Sequence, residues 1–180
     1  MSNLLIEDSN ALAARIMEVA RNRHLPPAYR HRLAQRARAM FENNVGSDDA
    51  RLLPVLKVIA HTSDESSKEA AFRDLLALQE KHPGGSPREL VGTLANIGRL
   101  LVDNKQFAEA EPLYRRAHEL SGNLFMASQL AVCLAARGQF QEAYELTKQF
   151  PDCYFSVMEQ EFSEYREECQ EEWYGEHEHD

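Results

Sequence analysis

The chain has 180 residues, 43% of them hydrophobic and 27% charged, with a formal net charge of −9. That length supports one well-buried core or about four helix pairs rather than two independent domains, and the composition is that of an ordinary globular protein. No apolar run approaches the roughly 18 to 20 residues that cross a bilayer, and the opening MSNLLIEDSN carries acids where a secretory signal carries positive charge, so a cytoplasmic location without membrane contact is expected.

Cys133, Cys153 and Cys169 are spaced 20 and 16 residues apart. This spacing draws neither a closed disulfide set nor a CxxC metal or redox motif, and reduced thiols on apolar helix faces are expected. The charge is polarised: seven arginines lie between Arg15 and Arg38 against one acid, Glu18, while Asp152 to Asp180 holds eleven acids and one base, Arg166. Such a split implies either packing between oppositely charged ends or a charged partner.

Helix punctuation is read in chain order. Leu5, Leu12, Ile16 and Val19 line one face of a first helix that ends before His24, where Pro26-Pro27 stop it and open the next. The second helix is expected to bury Tyr29, Leu33, Ala37, Met40 and Phe41 and to finish at Asn43-Asn44-Val45-Gly46. Residues 1–46 thus form a basic N-terminal helix pair. A degenerate pair is predicted over 47–86: Ser47-Asp48-Asp49 caps a helix bearing Leu52, Leu53, Leu56, Val58 and Ile59, and Pro54 either kinks that segment or starts the real helix. Ser66 with Glu69 reads as a capping box for a helix reaching about Lys81. A second box, Ser86 with Glu89, has Pro87 at the first helical position and follows the breaker His82-Pro83-Gly84-Gly85.

From Leu94 the chain says nearly the same thing twice. The run LANIGRLLVDNKQFAEA returns 33 residues later as ASQLAVCLAARGQFQEA, starting at Ala127, so that Ile97 maps to Leu130, Gly98 to Ala131, Phe107 to Phe140 and Ala110 to Ala143. Helices are predicted from about Pro87 to Val102, Gln106 to Leu120, Leu124 to Arg137 and Gln139 to Phe150. A period in the low thirties with helical spacing inside each unit marks stacked helix pairs. In the last segment Met158, Phe162, Tyr165, Cys169 and Trp173 share one stripe, which predicts an acidic amphipathic capping helix over 151–174, with a partner-docking helix as the alternative, and a disordered tail over 175–180. No strand-like alternation competes, and the fold class is all-α.

Leu94, Ile97, Gly98, Leu101, Phe107, Ala110, Tyr114 and Ala117 follow the alternation of large and small residues of the tetratricopeptide repeat, which this region resembles. The helix FAEAEPLYRRAHEL is similar to the kinesin-light-chain-like subset, in which a proline inside the second helix, here Pro112, is common. The second unit keeps Leu130, Ala131, Leu134, Gly138, Phe140 and Ala143 but carries Thr147 and Phe150 where an aromatic residue and an alanine are expected, followed by an early Pro151, as a terminal repeat would. Two clear repeats cover about 91–150, and Val55, Val58, Ile59, Ala71, Leu75, Leu78 and Pro83 outline a degenerate one over about 52–85. The resemblance implies a right-handed superhelix of antiparallel helix pairs, a TPR-like α-solenoid with an N-terminal helical extension and the C-terminal capping helix, in a single domain over 1–180.

It further implies a concave groove lined by the first helix of each pair. The groove would expose Lys57 and Ala60 from the degenerate unit, Gly92, Ala95, Asn96, Arg99 and Asp103 from the first repeat, and Phe125, Ser128, Gln129, Val132 and Ala136 from the second. Lys57, Asn96, Arg99 and Gln129 supply donors, and Phe125 and Val132 apolar surface, for a peptide or helix with an acidic or carboxylate group. The family's chaperone-tail clamp wants Lys and Asn where Ala95 and Arg99 stand, so that ligand is not expected. Arg15, Arg32, Arg36 and Arg38 form a second candidate patch for a charged partner.

No HExxH, GxSxG or phosphate-loop pattern occurs, and neither a catalytic residue nor a cofactor is assigned. His24, His31, His61 and His118 stand singly, and the His177-Glu178-His179-Asp180 tail has no fixed metal geometry, so no metal site is assigned. The expected function is a non-catalytic protein-protein interaction module, an adaptor or client-specific chaperone. The alternative is a nucleic-acid-binding or regulatory protein using the arginine-rich helices; the acidic whole and the lack of exposed aromatics among the basic residues disfavour it. A homo-oligomer is left open.

Overall fold

The computed structural model describes residues 2–148, and the contacts of the chain divide it into two compact units, Met1–Gly85 and Ser86–Asp180. The expected capping helix and acidic tail lie outside the described residues.

The first unit contains α1 (Ser2–Ala20), α2 (Pro27–Val45), a single 3-10 turn (Ala50–Leu52), α3 (Leu53–Thr62) and α4 (Glu65–Lys81), each helix packing on the next. The inward face of α1 is not the one its largest residues suggest. Ala13, Met17 and Ala20 are buried, while Leu12 and Val19 remain 48% and 49% exposed and Ile16 is half-buried; the side chain of Leu5 lies outside the described residues. Opposite them α2 buries Ala34 and Ala37, with Phe41 one turn further on, and leaves Tyr29 largely exposed and Leu33 and Met40 half-buried. Small buried side chains on both helices permit a close approach, in which leucine and valine would overpack. The hairpin is tied at both ends: Arg30 Nε donates to the carbonyl of Ala20 at 2.9 Å, and Asn44 Nδ2 to Asn10 Oδ1 at 3.1 Å.

Boundaries follow local chemistry. Gly46, at φ 87°, closes α2, its amide donating to the Glu42 carbonyl. Asp49 accepts the Arg51 amide, and Pro54 occupies the second position of α3, where a missing N–H leaves no bond unmade. Proline therefore starts this helix and does not kink it. The Ser66–Glu69 capping box does not form. Asp64 caps α4 a step earlier, its carboxylate accepting from the Ser67 amide at 3.0 Å and from the Ser66 hydroxyl at 2.7 Å, while Glu69 pairs with Arg73 at 2.7 Å. An ionised acceptor is the stronger cap.

The second unit contains α5 (Pro87–Asp103), α6 (Phe107–Ser121), α7 (Leu124–Ala136) and α8 (Phe140–Thr147). Ser86 stands at the N-cap of α5 with Pro87 next, but its carbonyl, not its hydroxyl, accepts from Glu89 and Leu90, so this box too is incomplete. Here α5 packs on α6, α6 on α7 and α7 on α8.

The internal repeat is reproduced in two hydrogen bonds of its turn. In the first turn Lys105 N donates to Val102 O and Gln106 N to Leu101 O, both at 2.8 Å; in the second Gly138 N donates to Ala135 O and Gln139 N to Leu134 O, both at 2.9 Å. The backbone of Gln106 (φ −90°, ψ 57°) is matched by Gln139 (φ −91°, ψ 56°), and Lys105 and Gly138 both have positive φ. Burial follows the same register, with Leu94 and Ala127, Ile97 and Leu130, Leu101 and Leu134, and Ala110 and Ala143 all inside. Phe107 and Phe140 are both half-buried immediately after their turns.

Candidate binding face of the first helices

Both α5 and α7 bury much of their circumference and leave one stripe partly exposed. On α5, Asn96 is half-buried, with Nδ2 donating to the Gly92 carbonyl at 2.7 Å, which leaves its Oδ1 and second N–H for a ligand. Arg99 is exposed and pairs one turn along with Asp103 at 3.0 Å. An exposed pair of this kind holds a few tenths of a kcal/mol, so a partner carboxylate can displace it. On α7, Phe125 is 48% exposed, Gln129 and Val132 are half-buried, and Ser128 is buried with its hydroxyl on the Phe125 carbonyl. Ser128 thus shapes the helix and is removed from the accessible face. In the first unit Lys57 is exposed on α3.

Of the arginine patch, Arg38 is engaged: Nε donates to Glu42 Oε1 at 2.7 Å and NH1 reaches Asp74 Oδ2 at 3.4 Å, and these carboxylates raise its pKa. Arg32 lies 5.7 Å from the centroid of the Tyr29 ring, a cation–π distance. Arg15 and Arg36 stand exposed on α1 and α2.

The first unit also has a feature not read from the sequence, a cleft of about 500 Å³ along α1, bounded by Phe41 of α2, Arg51 of the 3-10 turn and Pro54 at the start of α3. Its apolar wall includes Ala14, Met17, Phe41 and Pro54, and its polar edge Glu18, Arg21 and Arg51. Arg51 is held by Asp49 through Nε at 2.8 Å and NH2 at 2.9 Å, contacts that lower the Asp49 carboxyl to about 2. Further along the same face of α3 comes His61, whose ring meets that of Phe72 edge-on at 5.2 Å. Burial, then the charges of Lys57, Arg23, Arg30 and Lys68, lower its pKa. The i, i+3, i+7 spacing of Pro54, Lys57 and His61 is the signal that could have placed them on one stripe.

Chemistry of a reacting site is not assembled. Cys133 is buried and its thiol is pushed up to about 12 by desolvation, which keeps it a protonated, weak nucleophile. Among the described residues no cluster of His, Cys, Asp or Glu has the makings of a metal site, and no helix is long and apolar enough to cross a membrane.

No family model matches the sequence, and no curated protein is similar to it. The fold does have solved counterparts. A chain from Podosopora anserina described as "kinesin light chain nearly identical TPR-like repeats" matches with a TM-score of 0.54 at 18% identity, over 80% of this chain and 72% of that one. A single-substitution variant of it matches over the same shares with a TM-score of 0.55, also at 18% identity. Two helix pairs closed by one repeated turn, together with these likenesses, identify the fold of this chain as the TPR-like helical repeat.

Proposed function

We propose that the chain is a non-catalytic protein-protein interaction module, acting in the cytoplasm as an adaptor or client-specific chaperone. It binds a peptide or helix of a partner along the exposed stripes of its first helices, with Lys57, Asn96, Arg99, Phe125, Gln129 and Val132 as contact residues. We read 1–180 as a single helical domain in which 151–174 caps the array. The observation that carries the reading is the duplicated helix pair, whose turns at Lys105 and Gly138 coincide in backbone and hydrogen bonds. A stacked pair commits one stripe of each helix to its neighbours and presents the other as a surface. Donors at Asn96 and Arg99 on α5 and the half-exposed Phe125 on α7 offer the polar and aromatic groups typical of interfaces.

The test is affinity capture from the source cell with the full chain and with an Asn96→Ala/Arg99→Ala variant, quantified by mass spectrometry. One or two partners should be enriched and lost with the variant. Equal recovery on both baits rejects the assignment.

A second reading, nucleic-acid binding through the arginine helices, is favoured by the exposure of Arg15, Arg32 and Arg36. Titration with RNA and DNA at two salt concentrations decides it, since phosphate contacts lose affinity steeply with salt; the absence of binding at low salt ends this reading.

A further inference from the structure

The flank of the α1–α2 hairpin turned away from α3 is apolar and basic. Two edges of α2 are taken by its neighbours: Arg30 and Asn44 bond to α1, and His31 bonds to Thr62 of α3 at 3.0 Å. Tyr29, Leu33, Arg36 and Met40 follow one another at helical spacing along the edge that remains. On α1 the same spacing joins Leu12, Ile16 and Val19, apart from the buried row of Ala13, Met17 and Ala20 and from Ala14, Glu18 and Arg21 on the cleft. Phe41 and Pro54 close that cleft, so it lies on the α3 side of the hairpin and the two apolar rows share the other side. Leu12, Val19 and Tyr29, at 48%, 49% and 43%, are three of the five exposed large hydrophobic residues among those described, and apolar surface gathered in this way marks an interface. Arg15, Arg32 and Arg36 stand exposed among them, while Glu18, the only acid between Leu12 and Met40, lies on the cleft side. The ion pairs of this hairpin are made by Arg38, on the α3 edge, and none is made by Arg15 or Arg36 among the described residues.

We propose that this flank binds the acidic segment 152–174 of a second copy of the chain, with the row of Met158, Phe162, Tyr165, Cys169 and Trp173 laid on Leu12, Val19 and Tyr29 and with carboxylates facing Arg15 and Arg36. Charge complementarity selects this occupant. Asp152 to Asp180 holds eleven acids and one base, and helical spacing puts Glu161, Glu168 and Glu172 along one edge of the apolar row. At the rise of a helix the row from Tyr29 to Met40 runs about 16 Å and that from Met158 to Trp173 about 22 Å, so one covers the other. Two flanks set face to face would bring Arg15, Arg32 and Arg36 against their own copies, and nucleic acid would answer the arginines but leave Leu12 and Val19 in water. The flank belongs to the first unit and the segment follows α8 of the second, so copies join head to tail. The inference rests on the reading of 151–174 as a cap and names what it covers, the first hairpin of a neighbouring array.

The test is sedimentation velocity on the full chain over a dilution series. The wild type should associate, its mass falling to that of one chain on dilution. Arg15→Glu/Arg36→Glu and, separately, Glu161→Lys/Glu168→Lys/Glu172→Lys should each weaken association about tenfold or more. Mixed in equal amounts the two variants should associate again, because the unaltered segment of one meets the unaltered flank of the other and the two reversed surfaces also match. Recovery in the mixture shows that both variants are folded. The emission of Trp173, the single tryptophan, should move to shorter wavelength in step with association.

A wild type that stays a single chain at every concentration overturns the proposal, and the flank then serves another protein or RNA. Variants whose helical circular dichroism is unchanged but which remain single chains in the mixture overturn it as well. A change of mass without a shift of Trp173 emission places the contact elsewhere and has the same force. Association abolished by Asn96→Ala/Arg99→Ala but insensitive to Arg15→Glu/Arg36→Glu moves the segment onto α5, which overturns the flank and leaves the general reading intact. Equal partner capture by the Asn96→Ala/Arg99→Ala bait, with the association of copies unchanged, rejects the general assignment and leaves the flank standing.

Discussion

The ring of Tyr114 lies against the bare Cα of Gly98, so that a Cβ built there would meet Tyr114 Cε2 and Cζ at 2.8 Å. Both residues are buried, Tyr114 to 1% exposure, and the ring has little room to swing. The sequence of the second repeat changes both positions together: Ala131 stands where Gly98 stood, and Thr147 where Tyr114 stood. In sequence the smaller residue goes with the larger partner in the first repeat, and the larger with the smaller in the second.

Gly98→Ala is therefore expected to destabilise the chain by about 1–2 kcal/mol, the overpacking cost exceeding the gain in helix propensity of about 1 kcal/mol. Tyr114→Thr alone should cost more, by leaving a cavity. The double variant should be less destabilised than the sum, with a coupling of at least about 0.5 kcal/mol in a double-mutant cycle of urea denaturation. Strict additivity would break the link between the two positions.

The matched turns give opposite expectations for equivalent sites. Lys105 holds φ 59° without being glycine, while Gly138 holds φ 75°. Lys105→Gly should stabilise by about 0.5 kcal/mol, strain relief outweighing the added freedom of the unfolded chain, and Gly138→Ala should destabilise by about 1 kcal/mol. Thermal denaturation of the two single variants checks the signs.

Glu111 is a hub between repeats. Its carboxylate accepts from Arg115 NH2 at 3.0 Å and from Arg137 NH1, and Arg115 NH2 also reaches Glu142 Oε1 at 2.8 Å. With the Glu111 side chain 13% exposed, Glu111→Gln should cost about 1–2 kcal/mol, because the shared acceptor loses its charge and one of its two oxygens. Arg115→Ala should cost about 0.5–1 kcal/mol as a more exposed partner. Both losses should shrink in 1 M salt, measured by denaturant midpoint.

Acid should weaken the first unit in two windows. His61 is held below its ordinary 6.5 by burial and by neighbouring cations, so between its folded value and 6.5 the unfolded chain binds more protons and stability falls as pH drops through that range. His61→Asn should flatten the loss. Asp49 is held near 2 by its Arg51 hydrogen bonds, against an ordinary 3.8. The stability it contributes is present above 3.8 and disappears as pH falls toward 2, and Asp49→Asn should remove that second window. Denaturation midpoints across pH 2–8 test both.

The second unit was legible because its signals repeat: the same spacing of Ile97 and Leu130, Phe107 and Phe140, Ala110 and Ala143 states the register twice, and the helix ends fell where glycine and asparagine stood. The first unit was less so, for reasons of size and of competition. A stripe drawn through Leu12, Ile16 and Val19 favours bulk, but a close α1–α2 approach requires Ala13, Ala20, Ala34 and Ala37, and alanine leaves no strong periodic mark. Ser66 lost its cap to Asp64 because the ionised oxygen starts the helix two residues earlier and leaves Ser66 inside its first turn. Of the surface residues, the reach of Lys57, Asn96 and Arg99 was readable from helical spacing, whereas the basic surroundings of His61 depend on segments that meet only in three dimensions.

The coincidence of the turns at Lys105 and Gly138 also bears on how such a chain can lengthen. Because the exit from α5 and the exit from α7 present the following helix with the same backbone path, a tandem copy of the 33-residue block meets at each junction the geometry it left. The number of helical hairpins is then a property that gene duplication can change by whole steps, while the residues decorating each hairpin diverge on their own.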